Sequence, residues 1–120
     1  MNYTDIFIAC PITDIQNMIQ HVFYQNGFKV AWYTSNTGKA TKGSKGENIA
    51  LGAFAQYYEI DFQILAMPDQ TSAVRLIKAT SGWWGGIIGA HKVERQYKDI
   101  VDMLSNYFMS LGVFRGRNPP

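Results

Sequence analysis

The sequence predicts an α+β fold in which a strand and a helix are followed by antiparallel strands and a second helix. Three observations lead to this prediction: segments where apolar and polar residues alternate, two segments where apolar residues recur every three or four positions, and turn residues between them. This element order predicts a curved antiparallel sheet with two helices packed on one face. At 120 residues the chain has room for one core, so we expect a single α+β domain over 1–114 and a flexible tail over 115–120.

The start of the chain predicts a strand followed by a helix. Residues 4–10 alternate between two faces with the period of a strand. Pro11 suits the first turn of a helix, and Thr13 with Gln16 three positions later is typical of a capping box. Apolar residues then follow helical spacing until Gly27, which supplies the stop.

The next segment predicts a strand and its return. Residues 28–34 alternate as a strand does, and Asn36, Thr37 and Gly38 are typical of a hairpin turn. The return, over 39–52, begins with polar residues interrupted by glycine. The sequence therefore leaves open whether it forms a short edge strand or an ordered loop.

The second half of the chain predicts a hairpin and a long helix. Residues 54–64 carry the longest alternation, so we expect a central strand there. Turn residues at 68–70 lead into a β-branched segment over 73–80. Apolar residues from 93 to 111 form a wide helical stripe that Gly112 ends.

This element order resembles two known architectures, the repeat unit of the TATA-box-binding protein and the helix-grip domain of birch-pollen-allergen-like and lipid-transfer proteins. The resemblance covers most of the chain and lies in the order of the elements, so it implies a curved sheet gripped by helices. It carries over no functional residue, because no motif of either family is matched. A shared fold does not identify a function.

Charge, cysteine content and hydropathy bear on which classes of protein this chain can belong to. The net charge of +2 is too small to argue by itself for a nucleic-acid or membrane-surface protein. Cys10 is the single cysteine, which excludes an intrachain disulfide and favours the cytoplasm. No stretch of about 18 apolar residues predicts a span across a bilayer.

A glycine-rich segment between the last strand and the final helix is the most unusual part of the sequence. Its glycines permit a sharp turn or a close backbone approach, and a helix entry of this kind can also bind an anion. Adjacent tryptophans within a strand point to opposite faces, so we expect one of them to lie outside the core. The residues concerned are Gly82, Trp83, Trp84, Gly85, Gly86 and Gly89.

Lysines give the hairpin over 38–46 a local positive charge. Lys39, Lys42 and Lys45 lie there, and Lys92 follows the glycine-rich segment. The order of residues does not match a phosphate loop, which needs lysine before serine or threonine at the start of a helix. A solvated hairpin and a nonspecific contact with a nucleic-acid backbone both stay open.

No set of residues predicts catalysis. The sequence contains one cysteine, Cys10, and two histidines, His21 and His91. Their spacing matches no known catalytic motif. Glu59 and Asp61 share one strand face, where pairing with Arg75 or Lys78 is the ordinary explanation. We expect no catalytic residue, no metal and no cofactor.

Two functions of different class fit these patterns. The first is a noncatalytic domain that holds a hydrophobic small molecule between the sheet and the C-terminal helix. The second is an interaction module, either a homo-oligomer or a binder of protein or nucleic acid, that uses the basic hairpin and an exposed tryptophan near 82–89. The residues expected to line the apolar site are Trp32, Tyr58, Phe62, Trp83, Trp84 and Tyr97.

Overall fold

The computed structural model describes residues 2–43, 58–78 and 90–120, and within these ranges it confirms an α+β fold. The two helices are α1 (Ile12–Gln25) and α2 (Ala90–Ser110). The strands are β1 (Tyr3–Ile8), β2 (Lys29–Thr34), β3 (Thr37–Lys42), β4 (Tyr58–Met67), β5 (Thr71–Ile77) and β6 (Phe114–Asn118). The strands form one curved, unclosed sheet in the order β2-β3-β4-β5-β1-β6, in which neighbours are antiparallel.

The core lies between one face of this sheet and both helices. Because successive strand residues point to opposite faces, Ile6 and Ile8 of β1 are buried while Phe7 between them is half-buried on the outer face. Both helices contribute their apolar stripes to the same cluster of buried side chains. Its members include Ile60, Phe62, Ile64, Val74 and Leu76 from the sheet, Ile15, Ile19, Val22 and Phe23 from α1, and Ile100, Leu104 and Phe108 from α2.

The ends of the helices fall where the glycines predict them. Gly27 follows α1 with φ of +83°, and Gly112 follows α2 with φ of +75°, a conformation that glycine adopts without steric cost. The capping box is wrong, because Pro11 caps α1 without a side-chain hydrogen bond. The Gln16 amide instead donates to the carbonyl of Ser35. Within the described ranges, neither helix is long and apolar enough to cross a bilayer.

The segment after the first hairpin turn is a strand, which settles the choice for residues 39–42. It is an interior strand, since β3 pairs with β2 on one side and with β4 on the other. The turn is also shorter than predicted, because β3 begins at Thr37 and Gly38 lies within it opposite Trp32. A Cβ on Gly38 would stand 2.7 Å from the carbonyl oxygen of Ala31 and 2.8 Å from the Phe62 ring. Glycine is required there by close packing.

The hairpin of β4 and β5 confirms the prediction of a central strand. β4 lies between β3 and β5, and the turn at Pro68 places Asp69 and Gln70 at φ of 62° and 60°. Positive φ at two successive residues is the geometry of a type I′ turn, which matches the twist of antiparallel strands. The last residues of the predicted strand, 79–80, lie outside the described residues.

Residues 114–118 form strand β6 of the sheet, whereas the sequence predicted a tail over 115–120. β6 pairs with β1 from Asp5↔Asn118 to Ile8↔Phe114, with a register shift between Phe7 and Ile8. Arg117 on this strand donates to the Asp102 carboxylate of α2 at 2.9 Å. Backbone hydrogen bonds therefore hold β6 to β1, and the side chain of Arg117 holds it to α2.

We expect Gly38→Ala to lower the free energy of unfolding by about 1–3 kcal/mol, the usual cost of overpacking a filled site. The added methyl group meets backbone on one side and the buried Phe62 ring on the other. Chemical denaturation measures the change. Thr41→Ala, on the outer face of the same strand, is the control, and equal stability of the two variants would contradict the packing account.

Candidate functional site

A pocket of about 210 Å³ lies where α2 passes over β1 and β6. Its position follows from the topology, since β1 contributes Thr4, the end of β5 contributes Lys78 and β6 contributes Arg117. Val101 of α2 and the two terminal prolines supply apolar surface. The complete lining is Thr4, Lys78, Glu94, Tyr97, Lys98, Val101, Asp102, Arg117, Pro119 and Pro120.

Charges at the pocket are mostly paired, with one cation in excess. Lys78 forms an ion pair with Glu94, and Arg117 forms one with Asp102. Lys98 also lines the pocket and has no ion-pair partner in the part of the chain that the structure describes. Three cations against two carboxylates give the pocket a local positive charge that suits an anionic group.

Tyr97 is fixed at the inner wall of the pocket. Its hydroxyl donates to Thr4 Oγ1 at 2.5 Å and lies 3.2 Å from the Leu76 carbonyl oxygen, and the Lys78 ammonium lies 5.6 Å from the ring centroid. Burial raises the pKa of Tyr97, although the hydrogen bond with Thr4 and the charge of Lys78 act to lower it. The phenol is therefore protonated near neutral pH, where it acts as a hydrogen-bond donor.

The other predicted ligand residues lie in a different place from Tyr97. Trp32 meets the Phe62 ring edge-on at 5.2 Å, and Phe62 stacks on Phe23 at 5.8 Å. Tyr58 joins the same aromatic cluster through Phe28 at 5.9 Å. Phe62 is only 1% exposed, so it fills the core. Trp83, Trp84 and the glycines Gly82, Gly85, Gly86 and Gly89 lie outside the described residues.

The described lysines of the basic hairpin lie on opposite faces of the sheet. Lys39 pairs with Glu59 at 3.6 Å on the outer face, whereas Lys42 lies over the Phe28 ring at 5.6 Å on the helix side. Burial acts to lower the pKa of Lys39, but nearby acidic groups outweigh it and raise that pKa. A spacing of three in a strand reverses the face, so these two lysines do not form one patch. Lys45 and the side chain of Lys92 lie outside the described residues.

The acidic pair of β4 is explained by neighbouring strands, with partners other than those predicted. Glu59 pairs with Lys39 of β3, while Arg75 bonds to Asp5 of β1 at 2.8 and 3.1 Å. Asp61 is exposed beside them. Within the described ranges no three His, Cys, Asp or Glu side chains come together as metal ligands.

Cys10 is poorly placed to act as a nucleophile. It is buried, and burial together with the charge of Asp14 raises the pKa of its thiol above the ordinary range. His21 lies in the third turn of α1, about 14 Å along the helix from its start at the rise of 1.5 Å per residue. The His21 ring instead approaches Tyr107. The side chain of His91 lies outside the described residues.

The sequence patterns missed Lys78, Lys98 and Arg117 as a group. The sequence placed Lys78 beside the acidic residues Glu59 and Asp61 and placed Arg117 in a tail, and nothing in the spacing of the three residues brings them together. The one available signal was the alternation of arginine with phenylalanine and glycine over 114–117, which is strand-like.

Gln96 of α2 is buried, at 8% exposure, and its amide nitrogen has no hydrogen-bond partner among the residues that the structure describes. It shares its helix face with the buried Ile100, so the amide lies on the core side of α2. A buried polar group without a partner lowers stability by about 1–3 kcal/mol.

We expect Gln96→Met to raise the free energy of unfolding of the ligand-free protein by about 1 kcal/mol, because it removes that unpaired donor at similar volume. Thermal and urea denaturation measure the change. Gln25→Met at the exposed end of α1 is the control. Lower stability of Gln96→Met would show that the amide makes a stabilising contact.

We expect Tyr97→Phe to lower stability near neutral pH by about 0.5–1.5 kcal/mol, the contribution of a neutral hydrogen bond. Tyr107→Phe is the control, since the Tyr107 hydroxyl has no hydrogen bond within the described chain. Because the folded state raises the pKa of Tyr97, its contribution is present below the ordinary pKa of 10.0 and is lost as the pH rises further. The alkaline loss of stability should therefore be shallower in Tyr97→Phe, and an unchanged pH profile would contradict this.

Comparison with known proteins adds no assignment to this geometry: no family model and no curated protein matches the sequence.

Proposed function

We propose that the chain is a noncatalytic binding domain that holds a small amphipathic molecule between the sheet and α2, with an acidic group as its polar end. The observation that carries the proposal is the pocket of about 210 Å³ that combines apolar walls with an excess cation, Lys98. Small-molecule sites combine apolar surface with polar groups that fix orientation, and this pocket contains both, with charged side chains making up half of its lining residues.

The polar groups of the pocket suit a carboxylate. Lys98 is available without breaking an ion pair, whereas Lys78 and Arg117 are already paired with carboxylates of α2. Desolvation penalises a bound anion unless cations compensate it, so the position of all three cations around one small space favours an acidic ligand. Val101, Pro119 and Pro120 then contact its apolar part.

The same residues support binding without catalysis. Tyr97, the one phenol in the pocket, holds its proton near neutral pH and already donates to Thr4. A general base requires a pKa near the working pH, and burial moves the pKa of Tyr97 further above it. The pocket is therefore suited to hold a ligand by charge and apolar contact.

Calorimetric titration with hexanoate and with hexan-1-ol tests this proposal, because the two probes share an apolar chain and differ in charge. We expect hexanoate to bind more tightly, and added salt to weaken hexanoate selectively through screening. Lys98→Ala should weaken hexanoate about two- to fivefold, as expected for one solvent-exposed ion pair, and leave hexan-1-ol unchanged.

Lys29→Ala removes an exposed lysine at the β2 side of the sheet and is the matched control. Equal binding of the two probes would disprove the role of charge. Failure of both probes to bind the folded protein would disprove the pocket as an amphipathic site.

A second candidate function is self-association through the outer face of the sheet. In the described residues both helices cover the opposite face, and Tyr33 and Met67 are 62% and 37% exposed. Exposed large apolar side chains on an open sheet face favour an interface. Native mass spectrometry of the purified protein separates the two functions, since a ligand-bound monomer supports the pocket and a ligand-free oligomer supports the interface.

A further inference from the structure

A second groove lies on the other side of the molecule, between α1 and the β2–β3 turn. Its volume is about 260 Å³, close to the lower end of the roughly 300–1,000 Å³ of typical small-molecule sites. Unlike the pocket beside α2, it has no charged residue in its lining. The lining residues are Gln16, Asn17, Gln20, Trp32, Thr34 and Ser35.

Trp32 is held in this groove by contacts at two sides of its indole ring. Its Nε1–H donates to Gln20 Oε1 at 2.8 Å, and the ring meets Phe62 at an interplanar angle of 87°. Phe62 is a fixed partner because it is fully buried. A half-buried tryptophan with a fixed ring provides an apolar surface that requires no ordering when a ligand binds.

Neutral polar groups with unused hydrogen-bonding capacity surround this tryptophan. The Asn17 side chain makes no hydrogen bond within the described chain, and the Gln20 amide nitrogen is not used by its bond to Trp32. Gln16 donates to Ser35 and Asn36, which leaves its own amide oxygen as an acceptor. The side-chain amides at positions 16, 17 and 20 of α1 thus offer both hydrogen-bond donors and acceptors.

From this arrangement we propose that the groove binds a neutral sugar ring. Sugar hydroxyls both donate and accept, which matches the mixed capacity of three side-chain amides. The C–H groups of a sugar ring are slightly positive and suit the negative face of an aromatic ring. A nucleotide is less well matched, because its phosphates call for cations that this groove does not contain.

The Trp32 indole N–H provides a direct readout, since it is part of the groove. Two-dimensional ¹H–¹⁵N spectra identify its resonance as the one lost in Trp32→Phe. Titration of the wild-type protein with glucose, galactose, mannose and N-acetylglucosamine should shift this resonance saturably with at least one sugar, at a dissociation constant on the order of 1 mM. Uridine 5′-monophosphate and hexanoate, which are both anionic, should not shift it.

Asn17→Ala should weaken that sugar about two- to tenfold, the effect of one lost neutral hydrogen bond. Asn17 is exposed, so the variant is expected to fold normally. Asn106→Ala, at an exposed position of α2, is the matched control and should bind as wild type does. Absence of a saturable shift with every sugar, or a larger shift with uridine 5′-monophosphate, would overturn the proposal, as would equal sugar affinity of Asn17→Ala and wild type.

Discussion

Pairing of β1 on both of its edges is the constraint on which the rest of the structure depends. The first strand of the chain lies between β5 and β6, so its hydrogen bonds join segments separated by most of the sequence. Side chains reinforce this placement, as Asp5 binds Arg75, 70 positions away, and Ser72 Oγ donates to the Cys10 carbonyl at 2.6 Å. The pocket beside α2 exists because Thr4, Lys78 and Arg117 meet across these three strands.

Local patterns were sufficient for most of the elements. The helices were predictable because their signals are local. Apolar residues recur every three or four positions along each helix, and a glycine, Gly27 or Gly112, follows its end. The strand over 58–64 was predictable for the same reason, since the polarity of each residue there indicates which face of the sheet it occupies. Ion-pair partners far apart in the sequence were not predictable. Arg75 lies between β4 and β1 in the sheet, and the sequence alone does not show that its partner is Asp5 of β1.

Two strands that the sequence did not predict outright, β3 and β6, share a physical cause. Both contain glycine and charged residues, which lowered their strand signal, and both gain their stability from neighbours rather than from their own apolar content. Gly38 is glycine because Phe62 and the Ala31 carbonyl lie against it, a reason that is invisible in the sequence. Likewise the lysine spacing suggested one patch, but the period of a strand places Lys39 and Lys42 on opposite faces.

The positions of the two candidate sites follow from where the helices lie on the sheet. α1 contacts β2, β4 and β5, whereas α2 contacts β1 and β6, so each helix lies over one side of the sheet. The edge strands β2 and β6 then define the two sites, since Trp32 from β2 lines the uncharged groove and Arg117 from β6 lines the charged pocket. Because the linings differ in charge, we propose that the two sites select different ligands.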